Sequence, residues 1–330
     1  MFHFDRGLKL TRADLAVDFR RRQPRGFISH AHRDHMARHE FALCTPHTAR
    51  LYHARMGRRP VLEMPYRQTI SWGGLQLTTY PAGHCLGSAM LLADDGEQRL
   101  LYTGDFKLAE SATAERAELP RADLLVIEST YGNPAHRHLP RAEAIERLVD
   151  LIRETLSRGL TPVVQAYSLG KAQEVTAILA MAGIAVQQHQ EIYEISLVYR
   201  DCGVELGAIE LYRGKPRDDC VVIVPPQRHS RADLGRIRNP VTFAVTGWAM
   251  HSTRRLGVDH AIPLSDHADY DELLSAIEQV APRVVYCTHG PESFVDCLRR
   301  AGHRAYPLDG KHCPGSRALA IASAVQLRLF

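Results

Sequence analysis

The sequence predicts an α/β protein, and three observations predict it. The first half breaks into short apolar strands separated by turns. From about Pro140 onward, strand-like runs alternate with segments of helical periodicity. A dense histidine cluster closes one of the early strands, which places chemistry at a sheet edge.

The elements follow in order. Leu15 to Phe19 and Gly26 to His30 read as short strands. Leu75 to Tyr80 alternates with period two, as a half-buried strand does. Ala89 to Ala93 and Arg99 to Thr103 flank Asp94-Asp95-Gly96-Glu97, an Asp-Gly hairpin pattern. Leu124 to Ile127 is a continuous apolar run, as expected of a strand buried on both faces. In Pro140 to Arg158, apolar Ile145, Leu148, Val149, Ile152 and Leu156 recur with helical spacing. A strand over Thr161 to Ala166 and a helix over Lys171 to Ala182 come next. Strands at Val221 to Val224 and Thr242 to Thr246 continue the α/β pattern. The chain closes with strands at Ala261 to Leu264 and Val284 to Cys287, a helix between them over Tyr270 to Val280, and a strand over Ala324 to Leu329.

Composition narrows the function classes. The 330 residues are 45% hydrophobic and 24% charged, which excludes disorder and fibrous structure for most of the chain. A net charge of +4 permits a nucleic-acid partner without requiring one. Seven cysteines without a CxxC pair argue against a disulfide framework or a cysteine zinc finger, and predict a reducing compartment. The N-terminus lacks the apolar core of a signal peptide, and no apolar stretch reaches the ~18 residues that span a bilayer. A soluble, cytoplasmic protein is expected. Eighteen histidines point towards metal chemistry.

The cluster is Ser29-His30-Ala31-His32-Arg33-Asp34-His35. His30 and His32 are two apart, so an extended backbone turns them to one side. Asp34 and His35 follow where the chain is expected to turn into a helix. Imidazoles and a carboxylate suit zinc, manganese or iron at a hydrolytic site. Such a strand end can serve two ions ~3.5–4 Å apart. A chance run of surface histidines fits this HxHxDH order poorly.

The chain resembles the metallo-β-lactamase fold superfamily. Asp18 matches the acidic residue that orients the cluster, His84 the third ligand motif, and Asp105 the bridging carboxylate. His267, in Ser265-Asp266-His267-Ala268-Asp269, matches the last ligand. The resemblance implies an αββα sandwich. It assigns His30, His32, His84 and Asp105 to one divalent ion, and Asp34, His35, Asp105 and His267 to a second, with zinc or manganese expected. Cys85, beside a ligand, reads as packing.

Three features resemble the nucleic-acid-processing β-CASP branch. Glu128-Ser129-Thr130-Tyr131-Gly132 is similar to its acidic motif A, and Thr288-His289-Gly290 to its motif C. The long stretch before His267 matches an inserted β-CASP α/β domain, which makes His267 motif B. The implied organisation is a sandwich domain at 1–159 and 260–330 with the insert at 160–259. Inside the insert, Ser168 and Lys171 open a helix that either meets phosphate or is simply capped by Ser168. Trp248 either stacks on a base or fills a core. The basic groups Arg20-Arg21-Arg22 with Arg25, then Arg55, Arg58 and Arg59, then Arg254 and Arg255, are either solvated loops or guides for a phosphate backbone.

The whole pattern looks most like the bacterial DNA-ligase-associated exonucleases, a group related to DNA-repair nucleases. That resemblance implies phosphodiester hydrolysis of DNA through a hydroxide bridging two ions, with a DNA ligase and a helicase as functional associates. Asp34, Asp105, Glu128 and His289 are the expected catalytic residues, with His289 as general acid oriented by Glu128. The rivals are an RNA-processing enzyme, suggested by histidine in motif C, a small-molecule metallo-hydrolase, and a catalytically dead scaffold, which the full ligand set disfavours.

Overall fold

Strand alternation sets the layering of the first half. The computed structural model describes residues 1–226, 237–250 and 256–314. The strand expected over Ala324 to Leu329 and the pair Arg254 and Arg255 lie outside the described residues. The first sheet runs in sequence order: β1 (Phe2–Phe4), β2 (Leu8–Leu10), β3 (Leu15–Val17), β4 (Arg25–Phe27), β5 (Phe41–Cys44) and β6 (Val61–Glu63). The second is built on β7 (Thr69–Trp72), β8 (Leu75–Pro81), β9 (Ala89–Asp94), β10 (Arg99–Tyr102) and β11 (Leu124–Glu128). Leu91, Leu100, Tyr102 and Val126 point into a core shared with Leu15, Phe27 and Leu43 of the first sheet. Leu92, Leu101, Leu125 and Ile127 point the other way, into a helix-covered core. Each such buried leucine contributes roughly 1.5–3 kcal/mol, so these strands hold two layers together.

Helices complete four layers. On the outer face of the first sheet lies α1 (Pro46–Met56), opened by Thr45, whose hydroxyl accepts from the Thr48 amide. Its buried face mixes Thr48 and Ala49 with Leu51 and Tyr52, so apolar periodicity in the sequence is faint there.

A third sheet is wholly parallel. It comprises β12 (Thr161–Gln165), β13 (Ala185–Gln188), β14 (Ile209–Leu211), β15 (Cys220–Val224), β16 (Pro240–Val245) and β17 (His260–Ile262), ordered β14-β13-β15-β12-β16-β17. Helices α2 (Arg141–Ser157), α3 (Lys171–Met181) and α4 (Gln190–Asp201) join it. The packing differs from the expected 160–259 segment at both ends. Ala144, Leu148 and Ile152 of α2 bury in this sheet's core, and β17 pairs with β16. Ile195 and Tyr199 of α4 reach the α1 layer and seat the third sheet against the sandwich.

The chain then returns. Helix α5 (Tyr270–Val280) starts at a capping box, with the Asp269 carboxylate accepting from the Glu272 amide and the Glu272 carboxylate from the Asp269 amide. β18 (Val284–Thr288) pairs in parallel with β11, and β19 (Ala305–Pro307) with β18. With α6 (Glu292–Arg300), α5 covers the second sheet. The αββα arrangement with an inserted α/β sheet is therefore present.

Candidate metal centre

Parallel pairing collects the site. β3 and β4 run side by side, Val17 opposite Phe27, so Asp18 and the histidine loop leave one edge together. β10, β11 and β18 are also parallel, with Tyr102 opposite Val126 and Glu128 opposite Thr288. Asp105, Glu128 and His289 thus emerge at one edge of the second sheet. Gly104, at φ 56°, lets the two edges meet: a Cβ there would lie 2.8 Å from Ser29 Cβ and Oγ.

Asp18 is the anchor of the loop. Its carboxylate accepts from the Ser29 amide (2.7 Å), the Ser29 hydroxyl (2.5 Å) and the Tyr102 hydroxyl (2.8 Å), and it pairs with His35 Nδ1 (2.8 Å). This turns His35 Nε2 towards Asp105, 3.2 Å away. The expected strand to His30 stops at Phe27, and no helix follows Asp34 and His35. Asp18 shapes the loop, because its carboxylate takes the Ser29 amide that a longer strand would pair.

Donor atoms of His30, His32, His84 and Asp105 lie within 4.8 Å of one another, and so do those of His35, Asp105 and His289. Asp105 belongs to both groups. Its Oδ2 lies 3.5 Å from His30 Nε2 and 4.0 Å from His84 Nε2, while Oδ1 lies 3.8 Å from His289 Nδ1. Burial, then the neighbouring imidazoles, hold His30 well below its ordinary pKa, and burial with His267 holds His84 at about 3. These rings are neutral bases, the form that binds metal. Three imidazoles and one carboxylate converging in a buried pocket fit a divalent transition-metal ion, and the second group adds a place for another.

Glu128 pairs with His267, not with His289. Its Oε1 lies 2.9 Å from His267 Nδ1 and accepts from the Phe106 amide (3.1 Å), while Oε2 accepts from Thr130. Burial opposes charge on His267, yet Glu128 and then Asp105 outweigh it and raise its pKa to about 10. The expected orientation of His289 by Glu128 is therefore corrected. His289 stands with His35, ring centres 5.2 Å apart, because β18 delivers it on the far side of Asp105.

Other expected site residues fall differently. Asp34 is at the rim, half exposed, 3.7 Å from His35 Nε2 and 3.8 Å from an Arg20 guanidinium nitrogen. Lys171 is buried and bonded to Glu174 (2.8 Å), so it is not available to a phosphate. Ser168 does not cap α3; Gly170 is the cap residue, its amide donating to the Gln173 side chain. Trp248 is exposed rather than a core residue. Cys85 packs in the core beside α1.

The sequence reading missed two features. Asp266 shares a donor group with His84 and His267, and its backbone carbonyl lies 2.8 Å from His84 Nδ1; its place inside the Ser-Asp-His motif was the available signal. Glu174 is buried among Lys107, Lys171 and Arg141, at 3.1, 2.8 and 2.8 Å. No local pattern announces that cluster, since its members come from three separate segments.

Comparison with known proteins agrees with this picture. A family model described as the Zn-dependent metallo-hydrolase RNA specificity domain matches residues 255–312. The chain is 36% identical over 311 residues to an Opitutus terrae protein named "Probable DNA ligase", covering 92% of this chain and 31% of that protein. It is 38% identical over 136 residues to "Endoribonuclease YSH1" of Yarrowia lipolytica, covering 41% of this chain and 16% of that one. The chain thus spans under a third of the first relative and under a fifth of the second. A solved structure described as a protein of unknown function from Enterococcus faecalis V583 superposes with a TM-score of 0.57 at 14% identity, over 81% of this chain and 75% of that chain. At that identity the likeness concerns the fold alone.

Proposed function

The chain belongs to the β-CASP branch of the metallo-β-lactamase fold, and from that premise we propose that it is a metal-dependent nuclease that cleaves DNA, as an exonuclease in repair. The observation that carries the reading is Asp105, shared by the group of His30, His32 and His84 and by the group of His35 and His289, with Oδ2 facing His30, His84 and His35 and Oδ1 facing His289. In this reading His30, His32, His84 and Asp105 hold one ion, and Asp34, His35, Asp105 and His289 the other, with zinc or manganese suited to the donors. Divalent ions there supply the Lewis acidity that activates water and neutralises phosphate charge.

The protein's own groups do the rest. Asp18 holds His35 in one ring orientation. His267, kept protonated by Glu128, donates a proton to the departing oxygen of the phosphodiester. This exchanges the roles first expected for His267 and His289. A cavity of about 680 Å³ opens beside His289 and Asp34, and Arg6, Lys9, Arg20 and Arg21 also line it. Asp5 and Asp18 line it as well, with Lys9 paired to Asp5 and Arg20 to Asp34, which leaves Arg6 and Arg21 as the cations for a polyanionic strand.

The long match to the ligase-named protein supports DNA and a functional association with a ligase. A helicase associate rests on the resemblance alone. The RNA specificity domain and the endoribonuclease relative favour RNA as the second reading. All seven cysteines are free thiols, which suits the cytoplasm. Among the described residues no helix is long and apolar enough to cross a membrane.

Labelled single-stranded DNA, RNA of the same sequence and a thioester, each offered with Mn²⁺ or Zn²⁺, test the proposal. Fastest turnover of DNA is expected. Faster RNA cleavage would move the substrate to RNA, and thioester turnover alone would reject the nuclease.

A further inference from the structure

Five large apolar side chains stand exposed among the described residues: Leu139, Tyr167, Met181, Leu197 and Trp248. The two aromatic ones share a location. Tyr167 follows β12 and Trp248 follows β16, and these strands are parallel neighbours, Gln165 opposite Ala244. Both rings therefore leave the carboxyl edge of the inserted sheet, the edge at which parallel α/β sheets bind ligands.

That edge faces the metal centre at both points. The carbonyl of Leu169, two residues past Tyr167, accepts from His32 Nε2 at 3.0 Å. The turn at Trp248 is seated on Tyr131 and Ser265. A Cβ on Gly247 would run into the Tyr131 hydroxyl and come within 3.0 Å of Ser265 Cβ, so only glycine permits this approach. Ser265 Oγ in turn accepts from the His267 amide at 3.0 Å. The Trp248 ring lies 4.8 Å from Tyr131, whose ring lies 6.2 Å from His267. His136 supports the indole edge-on at 5.3 Å.

The indole is thus backed by Tyr131 and His136, yet it is 44% exposed, and Tyr167 is 55% exposed. Leaving such rings in water forgoes apolar burial, and two of them stand at the sheet edge that faces the metal centre. We propose that Trp248 and Tyr167 are stacking platforms for nucleobases of a strand bound at the metal centre. The inference rests on the nuclease reading and narrows it. Bases paired within a duplex do not offer their faces, so the bound strand is unpaired at the site. Stacking tolerates any base, so the platforms hold the strand without reading its sequence.

The Mn²⁺-loaded enzyme can be tested with a single-stranded oligonucleotide and with an abasic strand of equal length. Loss of one base stack weakens binding about 5- to 150-fold, so W248A should raise KM on the base-bearing strand by that factor, with W248F restoring most of it. On the abasic strand, wild type and W248A should give the same KM. Trp72 and Trp248 are the two tryptophans, so W72F isolates the signal of Trp248. Its fluorescence should be quenched by the base-bearing strand and not by the abasic one. Cleavage with an unchanged KM in W248A, or equal quenching by both strands, would overturn the platforms while leaving the nuclease standing. Failure of the wild type to cleave any nucleic acid would overturn the function and the platforms with it.

Discussion

Glu128 Oε1 lies 2.9 Å from His267 Nδ1, and this buried carboxylate is the largest influence favouring the protonated form of the partly buried imidazole. The charged ring is present below a pKa of about 10 and is lost as pH rises through it. Glu128→Gln removes that support and lowers the pKa. The alkaline limb of the kcat profile should move to lower pH, and cleavage at pH 8 should fall ~10²–10⁴-fold. An alkaline limb that stays in place would separate Glu128 from the proton donor.

Metal analysis distinguishes the two late histidines. His289→Ala should lose close to one ion per chain, because His289 completes the group with His35 and Asp105. His267→Ala should keep its metal and slow cleavage ~10²–10⁴-fold, with a smaller loss on a nitrophenyl phosphodiester, whose leaving group needs no proton. Metal loss in His267→Ala with retention in His289→Ala would restore the assignment first read from the sequence.

Glu174 ties segments from both domains together. Lys107 lies two residues past Asp105, Lys171 opens α3, and Arg141 opens α2. Burial opposes ionisation of Glu174, but Lys171, Lys107 and Arg141 outweigh it and hold its pKa well below the ordinary 4.5. This contribution to stability is present above pH 4.5 and lost as pH falls through the folded value. Glu174→Gln keeps the shape and removes the charge. It should cost ~3–5 kcal/mol in urea unfolding at pH 7, since the cations stay buried without their counterion. An unchanged midpoint would show that Asp266 or water takes over the charge.

Gly290 follows His289 and presses on Ser129. A Cβ there would collide with the Ser129 carbonyl and hydroxyl oxygens, and a backbone carbonyl in a sheet-edge turn has nowhere to move. Gly290→Ala should destabilise by ~1–3 kcal/mol and weaken metal binding through His289. A variant with native melting temperature and full metal content would show that the turn relaxes freely.

The amino-acid sequence by itself determined the chemistry and the layers. His30, His32, Asp34 and His35 stand within one loop, and donor type and spacing are local properties. Strands β8 to β11 and β18 of the second sheet were legible for the same reason, because a continuous apolar run such as Leu91, Leu92, Ala93 records two buried faces, whereas β7 and β19 carried no such run. Tertiary structure decided the partnerships. Glu128 and His267 are 139 residues apart, and Glu128 is also beside the strand that carries His289. Which histidine it meets depends on how the loop after β17 crosses the sheet edge, and no local period encodes that. Lys171 had the spacing of a phosphate ligand at a helix start, yet packing buried it against Glu174. Trp248 had the composition of a core residue, yet the close seat of Gly247 on Tyr131 left its ring in solvent. Residue type fixes what a side chain can do; only the packing of distant segments settles what it touches.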